Sequence, residues 1–220
     1  MRLLLLRHGQ TPSNVAGLLD TGAPGPGLTP LGERQAAAVP GALAGRRIDA
    51  LAVSSLVRTS LTVAPLAEHR GLRPAVVDGL REIEAGALEM SGNGDDHGTY
   101  LRTVFGWARG DLHRPMPGGP DGRAFLGRFD AAVAELSATG HDAVLAVSHG
   151  AAIRAWSCAR VRGVDVDAME WEPLDNTGLV EVEGDPESGW HLVEWRSGPV
   201  GGEELESVVA LDPTGEAVDG

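Results

Sequence analysis

Two short polar clusters in this sequence combine residue types that bind and transfer phosphoryl groups. Arg-His-Gly at 7–9 follows an apolar run at 3–6, and Ser-His-Gly at 148–150 follows an apolar run at 143–147. Arginine donates paired hydrogen bonds to phosphate oxygens, and a neutral imidazole is a competent nucleophile near pH 7. Glycine beside a histidine lets a ligand approach the backbone closely. The two clusters therefore indicate phosphate chemistry, provided that the fold brings them together.

The pattern of apolar runs predicts how these clusters are positioned. Short apolar runs predict strands at 3–6, 50–53, 75–77 and 143–147. Helices are predicted between them, from Thr29-Pro30 towards Ala44, from Ser55 to about Glu68, and at 151–160. This alternation predicts a three-layer α/β/α sandwich with a mostly parallel sheet. Ligands bind at the carboxyl ends of parallel strands, which is where both polar clusters fall.

The remaining segments predict a single domain over residues 1–200. Residues 178–183 and 191–195 have the pattern of a terminal hairpin or edge pair. Between 83 and 120 the pattern loosens, with a helical stretch at 100–108, and we interpret this segment as an inserted lid that contacts substrate. The segment 201–220 is rich in Gly, Glu and Asp, which predicts a weakly ordered acidic tail.

The composition excludes several classes of protein. The formal net charge of −13 argues against nucleic-acid and anionic-membrane partners, because such partners are repelled at long range. The single cysteine, Cys158, cannot form an internal disulfide, and the run at 3–6 is too short for a membrane span. We therefore expect a cytoplasmic protein. Its oligomeric state is left open, with a dimer among the alternatives.

Five motifs, in order along most of the chain, resemble those of the histidine phosphatase superfamily, which has the phosphoglycerate mutase-like fold. They are Leu6-Arg-His-Gly-Gln-Thr11 with Asn14, Leu28-Thr-Pro-Leu-Gly32 with Gln35-Ala36, Ser54-x-Leu-x-Arg58 with Thr62, Leu80-Arg-Glu-Ile83 with Gly86, and Ser148-His-Gly150. Arg-His-Gly alone is weak evidence, whereas five motifs in the family's order are strong evidence.

The resemblance implies a role for each matching residue. His8 is expected to attack phosphorus and become phosphohistidine. Glu82 is expected to protonate the leaving oxygen and then to activate water, although Glu84 and Glu89 are close in sequence and carry the same group. The remaining residues are expected to bind phosphoryl oxygens: Arg7, Asn14, Arg58 and His149. The resemblance implies no metal and no cofactor.

These roles predict a metal-independent phosphomonoesterase acting on a small phosphorylated metabolite through phosphohistidine. A cofactor-dependent phosphoglycerate mutase, an isomerase, has the same pocket and is the main alternative. A non-catalytic phospholigand-binding protein is a further alternative. The insertion also carries basic residues that could hold a second anionic group of the substrate: His97, Arg102, Arg109, His113 and Arg114.

Overall fold

The computed structural model describes residues 1–207 and 213–215, and its centre is a seven-stranded sheet. The strands are β1 (Arg2–Arg7), β2 (Ala50–Val53), β3 (Ala75–Val76), β4 (Ala143–Ser148), β5 (Val161–Arg162), β6 (Leu179–Asp185) and β7 (Gly189–Arg196). Their order across the sheet is β3-β2-β4-β1-β6-β7-β5. Strands β3, β2, β4 and β1, from one edge of the sheet to its centre, are parallel to one another. Strand β6 runs antiparallel to its two neighbours, β1 and β7. The predicted mostly parallel sheet is confirmed.

Helices cover both faces of this sheet. They are α1 (Pro12–Val15), α2 (Pro30–Ala42), α3 (Val57–Arg70), α4 (Gly94–Ala108), α5 (Gly122–Ala138), α6 (Gly150–Arg160) and α7 (Val166–Met169). The predicted start of α2 is confirmed, because the Thr29 hydroxyl accepts a hydrogen bond from the Gly32 amide at 3.0 Å. In the part of the chain that the structure describes, no helix has the length and apolar character needed to cross a bilayer.

The leucine run of β1 explains why the strand is buried on both faces. Successive side chains of a strand point to opposite faces. Leu3 and Leu5 accordingly belong to the core cluster on the side of α4, α5 and α6. Leu4 and Leu6 belong to the cluster on the side of α2 and α3. The four consecutive leucines thus contribute alternately to the two cores, one on each face of the sheet, as a three-layer architecture requires.

The segment 83–120 contains more regular structure than its sequence pattern suggests. Helix α4 begins at Gly94, six residues before the predicted stretch. Its buried side chains, among them Tyr100, Phe105 and Trp107, belong to the same core cluster as α5 and α6. A short loop then leads to α5, which begins after the Asp121 cap. This part of the segment is packed into the domain.

Part of the predicted acidic tail also contacts the domain. A 3₁₀ turn spans Glu203–Leu205, and the carbonyl of Leu205 accepts a hydrogen bond from Gln35 Nε2 at 2.9 Å. Residues 213–215 are buried, and Leu174 N donates to the Gly215 carbonyl at 2.8 Å. Residues 208–212 and 216–220 lie outside the described residues, so the boundary and the order of the tail remain predictions.

Candidate active site

The register of two neighbouring strands brings the two histidine clusters together. Strands β1 and β4 are parallel, and Arg7 pairs with Ser148 at their carboxyl ends. The next residues, His8 and His149, therefore leave the sheet side by side, with ring centroids 5.2 Å apart. Both side chains are buried. The pairing of β1 with β4 therefore brings the two clusters together, as the sequence predicts.

The hydrogen bonding of His8 leaves one ring nitrogen available for nucleophilic attack. Nδ1 lies 2.8 Å from the carbonyl oxygen of Gly9. A carbonyl can only accept, so Nδ1 carries the proton and Nε2 has the free lone pair. Burial, followed by the nearby charges of Arg58 and Arg7, lowers the pKa of His8 well below its ordinary value. His8 is therefore held neutral, which is the nucleophilic form.

The partners of His149 fix the opposite tautomer. Arg58 Nε lies 3.3 Å from Nδ1, and a guanidinium can only donate, so Nδ1 is the acceptor. Nε2 then carries the proton and donates to the Ser54 hydroxyl at 2.8 Å. Burial and the charge of Arg58 lower the pKa of His149 well below its ordinary value. Ser54 thus sets the ring orientation of His149 from the end of β2.

Arg7 is almost completely buried at the end of β1. Its Nη1 donates to the carbonyl of Leu174 at 2.6 Å, and its Nη2 donates to the Thr214 hydroxyl at 3.2 Å. These two contacts hold the guanidinium from the loop before β6 and from the carboxyl-terminal segment. Both partners lie more than 160 residues away in sequence.

Arg58 lies in the first turn of α3 and faces the same centre. Its Nη2 donates to the carbonyl of Asp20 at 3.0 Å, in addition to the contact with His149. The Gly17–Gly27 loop passes close by, and Gly25 there has a φ of +69°. A Cβ on Gly25 would lie 2.5 Å from Nη1 of Arg58, so a larger residue would displace the guanidinium as well as strain the backbone.

Asn14 belongs to a capping box at the start of α1. Its Oδ1 accepts from the amide and the hydroxyl of Thr11, each at 2.9 Å, and from Asn176 Nδ2 at 3.4 Å. These donors fix Oδ1 as the acceptor and leave Nδ2 to donate into the pocket that Asn14 lines. The arrangement suits the predicted hydrogen bond to a phosphoryl oxygen.

Glu82 is the carboxylate that faces this centre. Its Oε1 accepts from the amides of Ile83 at 2.8 Å and Ala152 at 2.9 Å, and its Oε2 accepts from Ala151 at 3.3 Å. The carboxylate therefore sits on the amino terminus of α6. Burial is the largest influence and raises the pKa of Glu82 above its ordinary value, although these amides and the two site arginines oppose it.

The other two candidate carboxylates have different surroundings. The Glu84 side chain is 44% exposed and pairs with Arg81. Glu89 accepts hydrogen bonds from the amides of Thr21 and Gly22 and from the Thr21 hydroxyl. It joins the insertion to the loop after α1. Neither lines the pocket that contains His8 and Glu82.

The pocket is small and mostly polar. The lining residues are His8, Thr11, Ser13, Asn14, Leu18, Asp20, Arg58, Glu82 and Thr214. Arg7 and His149 are not among them, but Arg7 contacts Thr214 and His149 contacts His8 and Arg58. None of the basic residues of the insertion lines it; Arg109, for example, pairs with Asp167 and Glu170.

Sequence reasoning did not identify several residues of the site. Ser13 and Asp20 line the pocket and are joined by a hydrogen bond of 2.5 Å, and Ser54 orients His149. Thr214 reaches the pocket from the predicted tail. Ser54 lies within the motif Ser54-x-Leu-x-Arg58, so the sequence did offer a signal for its presence in the site. For Ser13, Asp20 and Thr214 the sequence holds no such signal.

Comparison with known proteins agrees with this geometry. The sequence profile of the histidine phosphatase superfamily (branch 1) matches residues 3–198. The chain belongs to the histidine phosphatase superfamily. The match begins within β1 and extends past β7, and it includes every residue predicted for the site.

Relatives within this superfamily include named phosphatases. Adenosylcobalamin/alpha-ribazole phosphatase of Escherichia coli is 31% identical over 77% of this chain and 83% of its own length. The PE-PGRS family protein PE_PGRS11 of Mycobacterium tuberculosis is 39% identical over 94% of this chain, which spans 38% of that protein's length. A mycobacterial glucosyl-3-phosphoglycerate phosphatase, solved with VO₃, superposes with a TM-score of 0.74 at 27% identity, covering 90% of this chain and 99% of the other.

Proposed function

We propose that this histidine phosphatase is a metal-independent phosphomonoesterase that acts on small phosphorylated metabolites. The observation that carries the proposal is the pairing of a neutral His8, with Nε2 free, and a buried Glu82 in one pocket. A nucleophile and a carboxyl group of raised pKa are the two groups that a double-displacement phosphatase requires. The named phosphatase relatives support the same reaction class.

The first half-reaction transfers the phosphoryl group to His8. Nε2 attacks phosphorus while the ester P–O bond breaks, and protonated Glu82 gives its proton to the leaving alkoxide. Charge on the phosphoryl oxygens is stabilised by Arg7, Arg58 and the Asn14 amide. The ester enters as its monoanion, and its proton passes to Nδ1 of His149 when Arg58 turns to the phosphoryl group. His149 then donates this proton in a hydrogen bond to a phosphoryl oxygen, and the proton leaves with inorganic phosphate at the end of the cycle.

The second half-reaction returns the enzyme to its starting state. Glu82, now ionised, removes a proton from water, and the water oxygen attacks the phosphorus of phosphohistidine. The P–N bond breaks, inorganic phosphate leaves, and His8 is again neutral. Glu82 ends the cycle protonated, so the proton count balances. In a mutase, a second substrate hydroxyl would take the place of this water.

The test is phosphate release in EDTA by the wild type, His8→Ala and the control His141→Ala, which alters an exposed histidine outside the pocket. The panel contains p-nitrophenyl phosphate, glycerol 3-phosphate, 3-phosphoglycerate, alpha-ribazole phosphate and glucosyl-3-phosphoglycerate. We expect His8→Ala to lose roughly 10³-fold or more of kcat/KM, because a nucleophile is removed. Wild type quenched in alkaline denaturant, in which phosphohistidine is stable, should carry phosphate on His8.

Two results would contradict the proposal. Conversion between 3- and 2-phosphoglycerate without net phosphate release would assign a mutase. Tight phosphate binding with neither activity nor phosphohistidine would assign a binding protein. An equal loss of activity in His141→Ala would show that the His8 result is nonspecific.

A further inference from the structure

The backbone around Glu82 is held by an unusual concentration of side-chain hydrogen bonds. Residues 79–83, which we call the acid loop, run from within the 3₁₀ turn Asp78–Leu80 to the start of the insertion. Arg128 on α5 binds three carbonyl oxygens of this loop. Its Nη1 donates to Gly79 and to Arg81, each at 2.8 Å, and its Nη2 donates to Glu82 at 2.9 Å.

The two other carbonyls of the acid loop are also bound. The Ser148 hydroxyl, at the end of β4, donates to the carbonyl of Leu80 at 2.7 Å. The Tyr100 hydroxyl, on α4, donates to the carbonyl of Ile83 at 2.8 Å. All five consecutive carbonyl oxygens therefore accept a hydrogen bond from a side chain. The donors come from three different elements, so the loop cannot shift without breaking contacts to at least one of them.

Arg128 makes the largest share of these bonds from outside the phosphate pocket. It is not one of the pocket-lining residues, and its guanidinium lies 5.4 Å from the centre of the Phe125 ring. Its planar fork binds several acceptors in a fixed geometry, which the single ammonium of lysine cannot reproduce. A Cβ on Gly79 would lie 2.8 Å from the carbonyl of Arg128, so the loop also packs tightly on α5.

The position of the acid loop determines where the Glu82 carboxyl group can reach. Proton transfer to a leaving oxygen requires hydrogen-bond distance in the transition state. A displacement of about 1 Å can cost about 10²-fold in rate. The carboxylate is fixed at its far end by the amides of Ala151 and Ala152. The backbone of Glu82 is held chiefly by Arg128, which binds three carbonyl oxygens of the acid loop.

We propose that Arg128 is a positioning residue for proton donation by Glu82. The inference rests on the proposed function, since it assumes that Glu82 is the general acid. Arg128 contacts the backbone of the acid loop and lies outside the lining of the pocket that contains His8 and Glu82, so we expect it to act through that backbone. Replacing Arg128 should therefore slow esters with poor leaving groups, which need a proton, more than esters with good leaving groups.

The experiment measures kcat/KM for esters whose leaving groups differ in pKa, from 2,4-dinitrophenyl phosphate through phenyl phosphate to glycerol 3-phosphate. The variants are Arg128→Lys, Arg128→Met and Glu82→Gln. The control is Arg123→Met on the same helix, because Arg123 is exposed and its side chain pairs only with Asp121 among the described residues. The inhibition constant of inorganic phosphate is measured for each.

We expect both Arg128 variants to lose about 10- to 100-fold on glycerol 3-phosphate and less than about threefold on the dinitrophenyl ester. The slope of log kcat/KM against leaving-group pKa then steepens, as it does more strongly in Glu82→Gln. Phosphate inhibition should stay within about twofold in Arg128→Lys, because the phosphate ligands are untouched. Arg123→Met should resemble the wild type throughout.

Other outcomes overturn the inference. An equal loss on all esters, or a parallel weakening of phosphate inhibition, would show that Arg128 only maintains the pocket. If Arg128→Met does not fold, the slope of Arg128→Lys decides the question. A steep slope in Glu82→Gln but a normal slope in Arg128→Lys rejects the positioning role of Arg128 and leaves Glu82 as the general acid. A normal slope in Glu82→Gln rejects Glu82 as the general acid, and with it both proposals.

Discussion

The carboxyl ends of the central strands and the acid loop hold their polar side chains by different means. The first region, the strand-end group, comprises Arg7, His8, Arg58 and His149. Two of its members, His8 and His149, are placed by the register of β1 and β4. In the acid loop, Glu82 is placed by hydrogen bonds from side chains to a backbone that has no strand partner.

In the proposed mechanism this difference separates two requirements. Strand pairing would give a rigid floor for the phosphoryl group, whose size and charge are the same in every substrate. Glu82, the proposed proton donor, would serve leaving groups of different shape from a loop whose carbonyls are bound from α4 and α5. The two regions should therefore respond differently to substitution and to pH.

The largest expected effect is a uniform one, from Arg58→Met in the strand-end group. Loss of this guanidinium should lower kcat/KM about 10³-fold for every ester, because the charge it stabilises is on the phosphoryl group. Inhibition by inorganic phosphate should weaken as well. Arg73→Met, which alters an exposed arginine without a hydrogen bond among the described residues, serves as control. An effect of Arg58→Met that depended on the leaving group would remove the distinction between the two regions.

Stability should depend on pH with opposite signs in the two regions. The folded pKa values of His8 and His149 are lowered, so the unfolded chain binds more protons below pH 6.5 and stability falls as pH drops from about 7. Glu82 has a raised folded pKa, so its protonation adds stability as pH falls towards 4.5. Each pKa unit corresponds to about 1.4 kcal/mol.

Urea denaturation at pH 7.5 and 5.5 measures how the free energy of unfolding changes between these two pH values. We expect the wild type to lose stability at pH 5.5 and His8→Asn to lose less, since one buried base has been removed. Glu82→Gln should lose more than the wild type, because the stabilising protonation is gone. Identical changes in all three proteins would show that these groups do not control the acid response.

A smaller effect is expected from Ser54→Ala, which removes the acceptor of His149 Nε2. An unsatisfied buried donor costs about 1–3 kcal/mol, and we expect about a tenfold loss of kcat/KM on all esters. Ser55→Ala is the matched control, since within residues 1–207 and 213–215 the Ser55 hydroxyl bonds only to the exposed Asp78. Equal rates for Ser54→Ala and wild type would show that the tautomer of His149 is set without Ser54.

The smallest expected effect concerns Asp20, at the mouth of the pocket. Its Oδ2 accepts from Ser13, and its carboxylate should repel a substrate carboxylate. Asp20→Asn should raise the ratio of kcat/KM for 3-phosphoglycerate to that for glycerol 3-phosphate by about three- to tenfold. These substrates differ only in a carboxylate against a hydroxymethyl group. Asp111→Asn, outside the pocket, should leave the ratio unchanged, and an unchanged ratio in Asp20→Asn would exclude this electrostatic role.

Much of the strand-end group could be predicted because it depends on local pattern. An apolar run followed by a polar cluster predicts a strand end, and parallel strands place such ends at one edge of the sheet. The family motifs indicated the same residues. The helix caps at Thr29 and Asp121 are equally local, because each cap bonds an amide three residues away.

The acid loop shows where sequence reasoning is insufficient. The motif favoured Glu82, but Glu84 and Glu89 carry the same chemical group a few residues away. Burial separates them, since Glu82 is 2% exposed while the Glu84 side chain is 44% exposed. That burial depends on α4, α5 and α6, which are distant in sequence.

The sequence by itself predicted the parallel strands β1 to β4 and indicated the two histidines and their arginines, because strand pattern and motif order are local properties of the chain. Only the tertiary structure decided which carboxylate faces His8, which hydroxyl orients His149, and that Thr214 reaches Arg7. These depend on contacts between residues 69 to 207 positions apart. Such contacts are selected by the packing of whole elements, and no short stretch of sequence records them.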